Sequence, residues 1–132
     1  MPTLVHGFSD GGYLEDSRMA AGWWLCSKDS ITHAKGEIVV WKSHSNNVAE
    51  YFGLIRCLEK ALDFGYDALA MNMDSLLVVQ QVLGHWQCRN PVLLELLQYV
   101  RNLADQFSFF TLRHTLREGN TVADGLCNAA CW

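Results

Sequence analysis

Residues 47–64 read NVAEYFGLIRCLEKALDF, and at this stretch the chain changes its hydrophobic period. Its main apolar side chains fall at positions 51, 54, 55, 58 and 62, which share one face of a helix. Gly65 follows as a signal for the end of that helix. The pattern predicts an amphipathic helix over Asn47–Phe64 that packs against a neighbouring layer.

Three β-prone segments precede this helix, and they predict an antiparallel meander. They cover residues 3–9, 20–27 and 31–41, and the first ends in Ser-Asp-Gly-Gly, which is typical of a turn. Short connections between the segments favour strands that pair with their neighbours in sequence.

The segments after the helix alternate between buried strands and helices. The predicted strands are 68–73 and 107–114, and the predicted helices are 75–83, 91–106 and 121–131. The order is therefore β-β-β-α-β-α-α-β-α, which predicts an α/β fold with a mixed sheet covered by helices.

Length and composition limit the classes of protein that fit this chain. Its 132 residues predict a single domain over 1–132, with 50% hydrophobic and 18% charged residues. No apolar run reaches the ~18 residues of a membrane span, and no secretory signal is apparent. Five cysteines without a C-x-x-C pair indicate reduced thiols. We expect no membrane association and an intracellular location, cytoplasmic or nuclear.

Four acidic residues stand at the ends of predicted elements, and each has a local structural explanation. Asp10 fits the turn, Glu50 fits a capping box begun by Asn47, Asp74 fits an N-cap, and Asp124 fits a second capping box. For any one of them alone, the local explanation is favoured.

The four carboxylates taken together indicate a metal site. Strand ends and helix starts meet at one edge of such a sheet, and clustered carboxylates repel one another unless a cation joins them. Mg²⁺ prefers carboxylate oxygens and leaves positions open for phosphate. Two such ions form the site that cleaves phosphodiesters in many nucleases.

With these residues in view, the chain resembles the type I ribonuclease H family, and most closely its compact branch without a basic protrusion. The similar blocks are FSDGG at 8–12, AGWWL at 21–25, NNVAEY at 46–51, MDSLLVV at 73–79 and REGNTVADGLCN at 117–128. The resemblance covers nearly the whole chain in family order. It implies a ribonuclease H-like, five-stranded mixed sheet of order 3-2-1-4-5 flanked by helices.

The resemblance also implies an activity, namely cleavage of the RNA strand of RNA–DNA hybrids that leaves 3′-hydroxyl and 5′-phosphate ends. It implies that two Mg²⁺ ions, with Mn²⁺ as a substitute, bind to four carboxylates. Asp10 would bridge both ions, Asp124 would complete the site that activates water, and Glu50 and Asp74 would hold the ion on the leaving-group side. Glu50 would also lie near a ribose 2′-OH.

Further polar residues are substrate-binding candidates through the same resemblance. The amides around Gly11 and Gly12 would contact the 2′-OH groups that distinguish RNA from DNA. Asn47 and Ser45 resemble the family's contacts to a DNA phosphate, and the alternative for Asn47 is the N-cap. Arg117 matches a basic position, and its alternative is a solvated turn residue.

His114 carries two interpretations of equal weight. In part of the family, a histidine at about this distance before the last aspartate transfers protons or aids product release. The neighbours Leu112 and Arg113 instead indicate the end of a strand, where a structural histidine is more common. Both interpretations stay open at this point, although His114 is included among the catalytic candidates.

Other functions compete with the leading hypothesis. The net charge of −4 argues against a broad basic surface that binds nucleic acid tightly. A catalytically silent ribonuclease H-like binding or assembly module is one alternative. A nuclease of the same fold that acts on double-stranded RNA is another. The chain reads as a free-standing protein with no obligate protein partner, and it could equally be a domain of a polymerase.

Overall fold

The computed structural model describes residues 4–14, 18–27, 30–123 and 125, with the side chains of 30–32 and 117 outside that description. The elements follow the predicted order through the last strand. The strands are β1 (Leu4–Tyr13), β2 (Met19–Ser27), β3 (Ser30–Val39), β4 (Ala68–Met73) and β5 (Phe109–His114). The helices are α1 (Asn46–Asp63), α2 (Leu76–Val82) and α3 (Pro91–Ala104), followed by a 3₁₀ turn at Arg117–Asn120.

The five strands form one mixed sheet, as the sequence pattern predicts, in the order β3-β2-β1-β4-β5 that the family resemblance implies. The hairpin strands pair antiparallel, β1 with β2 and β2 with β3. The crossover strands pair parallel, β1 with β4 and β4 with β5. Short loops allow the first pattern, and helical crossovers produce the second.

The first strand is longer than predicted, and the predicted turn at residues 9–12 is wrong. β1 continues to Tyr13 because its second half pairs with β2, with Asp10 opposite Gly22 and Tyr13 opposite Met19. The ladder of this hairpin overrides the local turn preference of Ser-Asp-Gly-Gly. Asp10 therefore lies within the central strand, away from its end.

The ends of three other elements differ from the predicted ends by a few residues. β3 ends at Val39, β5 begins at Phe109, and α3 ends at Ala104. The prediction includes Ser108 in the strand β5, but Ser108 lies before it. Its hydroxyl and amide donate hydrogen bonds to the carboxylate of Asp67 instead. Residues 121–123 of the last predicted helix are helical, and most of that helix lies outside the described residues.

The core lies between the sheet and the helices α1 and α3. The apolar face predicted for α1 is buried, with Tyr51, Leu54, Ile55 and Leu58 nearly inaccessible. The inner residues of β1, β2 and β4 pack against it, including Val5, Leu25, Leu69, Met71 and Met73. The close-packed layer of α1 and α3 therefore supports the central strands and holds their ends in place.

Two further observations concern membrane-spanning helices and the cysteines. None of the helices among the described residues is long and apolar enough to span a bilayer. Within the same residues, Cys26, Cys57 and Cys88 are free thiols, and Cys26 and Cys57 are buried. Cys127 and Cys131 lie outside the described part of the chain.

Candidate active site

The site begins with an unusually close contact between α1 and β1. A Cβ atom on Gly11 would overlap the carbonyl group of Ala49, and one on Gly53 would overlap the carbonyl group of Asp10. Both positions therefore need glycine, because backbone packs directly on backbone there. This contact holds the first turns of α1 against the middle of β1 and brings Glu50 next to Asp10.

Three of the four predicted carboxylates converge at this contact. Asp10 projects from β1, Glu50 from α1, and Asp74 follows the last residue of β4. One carboxylate oxygen from each lies within 4.8 Å of the other two. Asp10 is 8% exposed, and Glu50 and Asp74 are partly buried. Asp124, the fourth candidate, lies outside the described residues.

Glu50 shows the electrostatic cost of this arrangement. Burial, a hydrogen bond with Asp10 and repulsion from Asp10 and Asp74 raise the pKa of Glu50 from 4.5 to about 10. The opposing contribution comes from the amide of Gly11, which donates to Glu50 Oε1 at 3.3 Å and to Asp10 Oδ1 at 2.9 Å. One backbone amide does not compensate for two neighbouring carboxylates, so Glu50 is held neutral when no cation is bound.

The donor set fits a hard divalent cation. Glu50 Oε2 is buried, and no N–H group among the described residues donates a hydrogen bond to it. A buried carboxylate oxygen without such a donor is costly in a folded protein, and a metal ion relieves that cost. Carboxylate oxygens on separate rigid elements are the ligands that Mg²⁺ and Mn²⁺ prefer. Asp10, Glu50 and Asp74 can therefore hold such an ion.

The local structural explanations fail for the three described carboxylates. Ser45 caps α1, with its hydroxyl accepting from the amide of Val48, so the capping box of Asn47 and Glu50 is wrong. Ser75 caps α2, so the N-cap assignment of Asp74 is wrong as well. Asp10 lies within a strand, so it is not a turn residue. Asp10, Glu50 and Asp74 are therefore not needed for the turn, the capping box and the N-cap that their sequence positions suggested.

His114 lies beside the cluster, at the end of β5. It pairs with Met73 on β4, and its ring Nε2 is 3.2 Å from the carbonyl oxygen of Asp74. That nitrogen donates the hydrogen bond, because a carbonyl oxygen can only accept, so in a neutral ring Nδ1 is the acceptor; the side chain is exposed. The position suits both a structural and a catalytic role, and both interpretations stay predictions.

The predicted substrate-binding residues surround the cluster unevenly. Gly11 and Gly12 lie in β1, and the amide of Gly11 is engaged by the two carboxylates. Ser45 is committed to capping α1, whereas Asn47 is exposed in its first turn. Arg117 begins the 3₁₀ turn, and its side chain lies outside the described part of the chain. Their contacts to substrate remain predictions.

Two asparagines near the site were not singled out by the sequence analysis. Asn120 is fully buried, and its amide donates to the carbonyl oxygen of Ser9 at 2.8 Å. This bond fixes the 3₁₀ turn at Arg117–Asn120 against the strand that carries Asp10. Asn46 accepts from the amide of Tyr13 at 3.1 Å and fastens the start of α1 to the end of β1. Asparagine at a helix start was the only available signal for either role.

Comparison with known proteins gives relatives that share this architecture. A family model described as "Reverse transcriptase-like" matches residues 8–130. Ribonuclease HI of Halobacterium salinarum is 37% identical over 127 residues, which are 96% of this chain and 63% of that protein. A bifunctional protein of Mycobacterium tuberculosis is 44% identical over 86 residues, which are 65% of this chain and 24% of that protein. The chain thus spans less than two thirds of the length of these curated relatives.

Solved structures of ribonucleases H also superpose on this chain. A crystal structure of ribonuclease H1 from Halobacterium salinarum superposes with a TM-score of 0.90 at 35% identity and covers 97% of both chains. The N-terminal ribonuclease H domain of the Mycobacterium tuberculosis protein gives a TM-score of 0.88 at 32% identity, over 97% of this chain and 93% of that one. LC11-RNase H1, crystallised with an RNA/DNA hybrid, gives 0.84 at 27% identity, over 96% of this chain and 95% of that one.

Sheet order, the acidic cluster and the solved neighbours define a ribonuclease H-like protein. The chain belongs to the reverse-transcriptase-like family that matches residues 8–130, and its predicted resemblance to type I ribonuclease H is confirmed.

Proposed function

We propose that this chain is a metal-dependent endoribonuclease that cleaves the RNA strand of RNA–DNA hybrids, leaving 3′-hydroxyl and 5′-phosphate ends. The observation that carries the proposal is the convergence of Asp10, Glu50 and Asp74, with a buried Glu50 oxygen to which no N–H group among the described residues donates. The relatives named ribonuclease H support the substrate class. The proposal places the protein inside the cell, in the cytoplasm or nucleus, without an obligate protein partner.

In this proposal, Asp10, Glu50 and Asp74, together with Asp124, hold two Mg²⁺ ions, for which Mn²⁺ substitutes. Bound divalent ions would supply a water nucleophile at neutral pH and stabilise charge on the phosphoryl oxygens. The chain itself contributes the rigid placement of the carboxylates, because Gly11 and Gly53 lock α1 onto β1. It also buries Asp10 and part of Glu50, and this reduced contact with water strengthens the electrostatic interactions there.

His114 would act from the side of Asp74. Its Nε2 donates to the Asp74 carbonyl oxygen, which orients the ring and leaves Nδ1 able to exchange a proton with solvent or product. Because the carboxylates and their ions carry the main chemistry, loss of His114 should lower the rate without abolishing it. If the histidine is only structural, the His114→Ala variant will instead lose stability and keep its rate.

The test compares labelled RNA–DNA hybrid, double-stranded RNA and double-stranded DNA, each with EDTA, Mg²⁺ or Mn²⁺. We expect cleavage confined to the RNA strand of the hybrid and dependent on the divalent ion. Sequencing-gel mobility of the products, with and without phosphatase, reads the chemistry of the ends. Cleavage of duplex RNA alone would favour a nuclease of the same fold with another substrate. Hybrid binding without cleavage in Mn²⁺ would favour a silent module.

A further inference from the structure

A small polar pocket opens on the sheet face that turns away from α1. Its volume is about 170 Å³, and the described residues that line it include His6, Asn72, Thr111 and Arg113. The strand register sets His6, Ala70 and Thr111 in one row across β1, β4 and β5, with Asn72 and Arg113 in a second row. The pocket therefore extends from the central strand β1 across β4 to the edge strand β5.

Asn72 fixes the arginine of this pocket. Asn72 is only 3% exposed, and its amide donates to the carbonyl oxygens of Gly7 at 3.2 Å and Ala70 at 3.4 Å. Its own oxygen accepts from Arg113 Nε at 2.7 Å. The guanidinium is thus held by one edge, and its two terminal nitrogens remain as donors in a fixed orientation.

Arg113 has no carboxylate partner within the described part of the chain, and no acidic residue is among the described residues that line the pocket. Arg56, by comparison, contacts two glutamates. Arg113 is therefore an exposed cation held by an amide and not by a carboxylate, in a chain with a net charge of −4. The planar donor fork of arginine suits the oxygens of phosphate, and Thr111 and His6 add further hydrogen-bonding groups.

We propose that the pocket formed by His6, Asn72, Thr111 and Arg113 binds a phosphate group. Asn72 on β4 precedes Asp74 by two residues, which places the Asn72 end of the pocket about 7 Å along the sheet from the acidic cluster. The phosphate comes from the backbone of a nucleic-acid substrate or from a free phosphate or mononucleotide. The first source rests on the proposed function, whereas phosphate binding itself does not.

Phosphate binding is tested by titrating ¹⁵N-labelled protein with sodium phosphate in EDTA and following the Arg113 Nε and Thr111 amide resonances. We expect saturable shifts, and at least tenfold weaker binding in Arg113→Gln, with Arg113→Lys intermediate. Lys60→Gln is the matched control, because Lys60 is a partly exposed cation on α1 that pairs with Asp63, and it should bind within twofold of wild type. If Arg113→Gln does not fold, Arg113→Lys and Thr111→Val carry the test. Unchanged phosphate binding in the folded variants overturns the proposal.

The source of the phosphate is separated by hybrid binding, measured by fluorescence anisotropy in EDTA across a salt series. If the substrate backbone supplies it, Arg113→Gln should weaken binding and reduce the slope of log K against log salt by about one. The KM for cleavage should rise with kcat unchanged. If hybrid binding is unchanged while phosphate or adenosine monophosphate binding is lost, the ligand is the free anion. These readings need no cleavage, so a failure of the proposed nuclease activity is recognised separately.

Discussion

Two groups of carboxylates lie on opposite sides of α1, and they differ in what neutralises them. The acidic cluster of Asp10, Glu50 and Asp74 brings three carboxylates within 4.8 Å of one another. In the Arg56 cluster, formed by Glu37, Arg56, Glu59 and Tyr99, two glutamates surround one guanidinium. Both groups combine residues of α1 with residues from neighbouring elements.

The Arg56 cluster pairs its two glutamates with one guanidinium, although Arg56 Nε makes no hydrogen bond within the described part of the chain. Arg56 Nη1 lies 3.0 Å from Glu59 Oε1, and Arg56 Nε lies 3.9 Å from Glu37 Oε2. Tyr99 donates to Glu59 at 2.9 Å, and Trp23 donates to Glu37 at 3.1 Å. Glu50, in contrast, faces two carboxylates and receives one backbone amide. Grouping of carboxylates is therefore not enough to indicate a metal site, and the decisive difference is a buried acid that its protein neighbours leave uncompensated.

The largest expected effect is on activity. Asp10→Asn should reduce hybrid cleavage at least about 1,000-fold, because loss of a metal ligand removes several kcal/mol of transition-state stabilisation. The side chain keeps its shape, so the fold should be retained, as circular dichroism would show. Glu59→Gln is the matched control in the Arg56 cluster, and its rate should stay within about twofold of wild type. Equal rates for Asp10→Asn and wild type would remove the metal assignment.

The next largest effect is expected at the backbone contact between α1 and β1, which brings the carboxylates of the acidic cluster together. Gly11→Ala adds a methyl group that overlaps the Ala49 carbonyl group, so α1 must move away from β1. We expect a loss of about 3 kcal/mol in the free energy of unfolding, measured with urea, and a loss of activity through displaced Glu50. Gly125→Ala adds a methyl group that has no atom of the described residues within 4 Å, and it should be neutral or slightly stabilising. Equal stability of the two variants would contradict the role of Gly11.

Much of the fold was predictable from the sequence because it depends on local periodicity. The change from β-prone segments to the pattern of 47–64 predicted the order of elements, and connection lengths predicted a mixed sheet. The extension of β1 to Tyr13 was not predictable in this way. It depends on pairing with β2, which a local turn signal does not reveal.

The site was predictable in its chemistry but not in its packing. The resemblance named Asp10, Glu50 and Asp74, and their convergence is a finding of the structure, whereas their catalytic roles stay predictions. The buried amide of Asn120 and the Asn72–Arg113 pair depend on register across distant strands. No spacing within a single segment reports such contacts.

Added metal should distinguish the acidic cluster from the Arg56 cluster. Mg²⁺ or Mn²⁺ should bind the native acidic cluster and stabilise it by about 2.7 kcal/mol at a hundredfold excess over Kd, which raises Tm by several degrees. Glu50→Gln should lose most of this response, because one ligand is replaced by a neutral amide. Glu59→Gln should respond as wild type does, since Arg56 already neutralises its cluster. Differential scanning calorimetry with and without 10 Kd and 100 Kd of ion measures the difference, and an equal response in both variants would argue against Glu50 as a ligand.

The effect most specific to Glu50 is the pH dependence of stability without metal. Because its pKa rises from 4.5 to about 10 on folding, the native protein binds more protons than the unfolded chain between these values. The stability from this group is therefore complete below pH 4.5 and is lost as pH rises toward 10, by at most about 1.4 kcal/mol per pH unit. Urea unfolding in EDTA between pH 5 and 8 should show wild type weakening relative to Glu50→Gln, which mimics the protonated acid. Glu59→Gln should run parallel to wild type, because both retain Glu50. Saturating Mg²⁺ should remove the difference in slope, since a bound cation stabilises the ionised form that metal-free burial disfavours. Parallel curves for wild type and Glu50→Gln in EDTA would show that Glu50 is ionised in the native protein and that the contrast with the Arg56 cluster is not electrostatic.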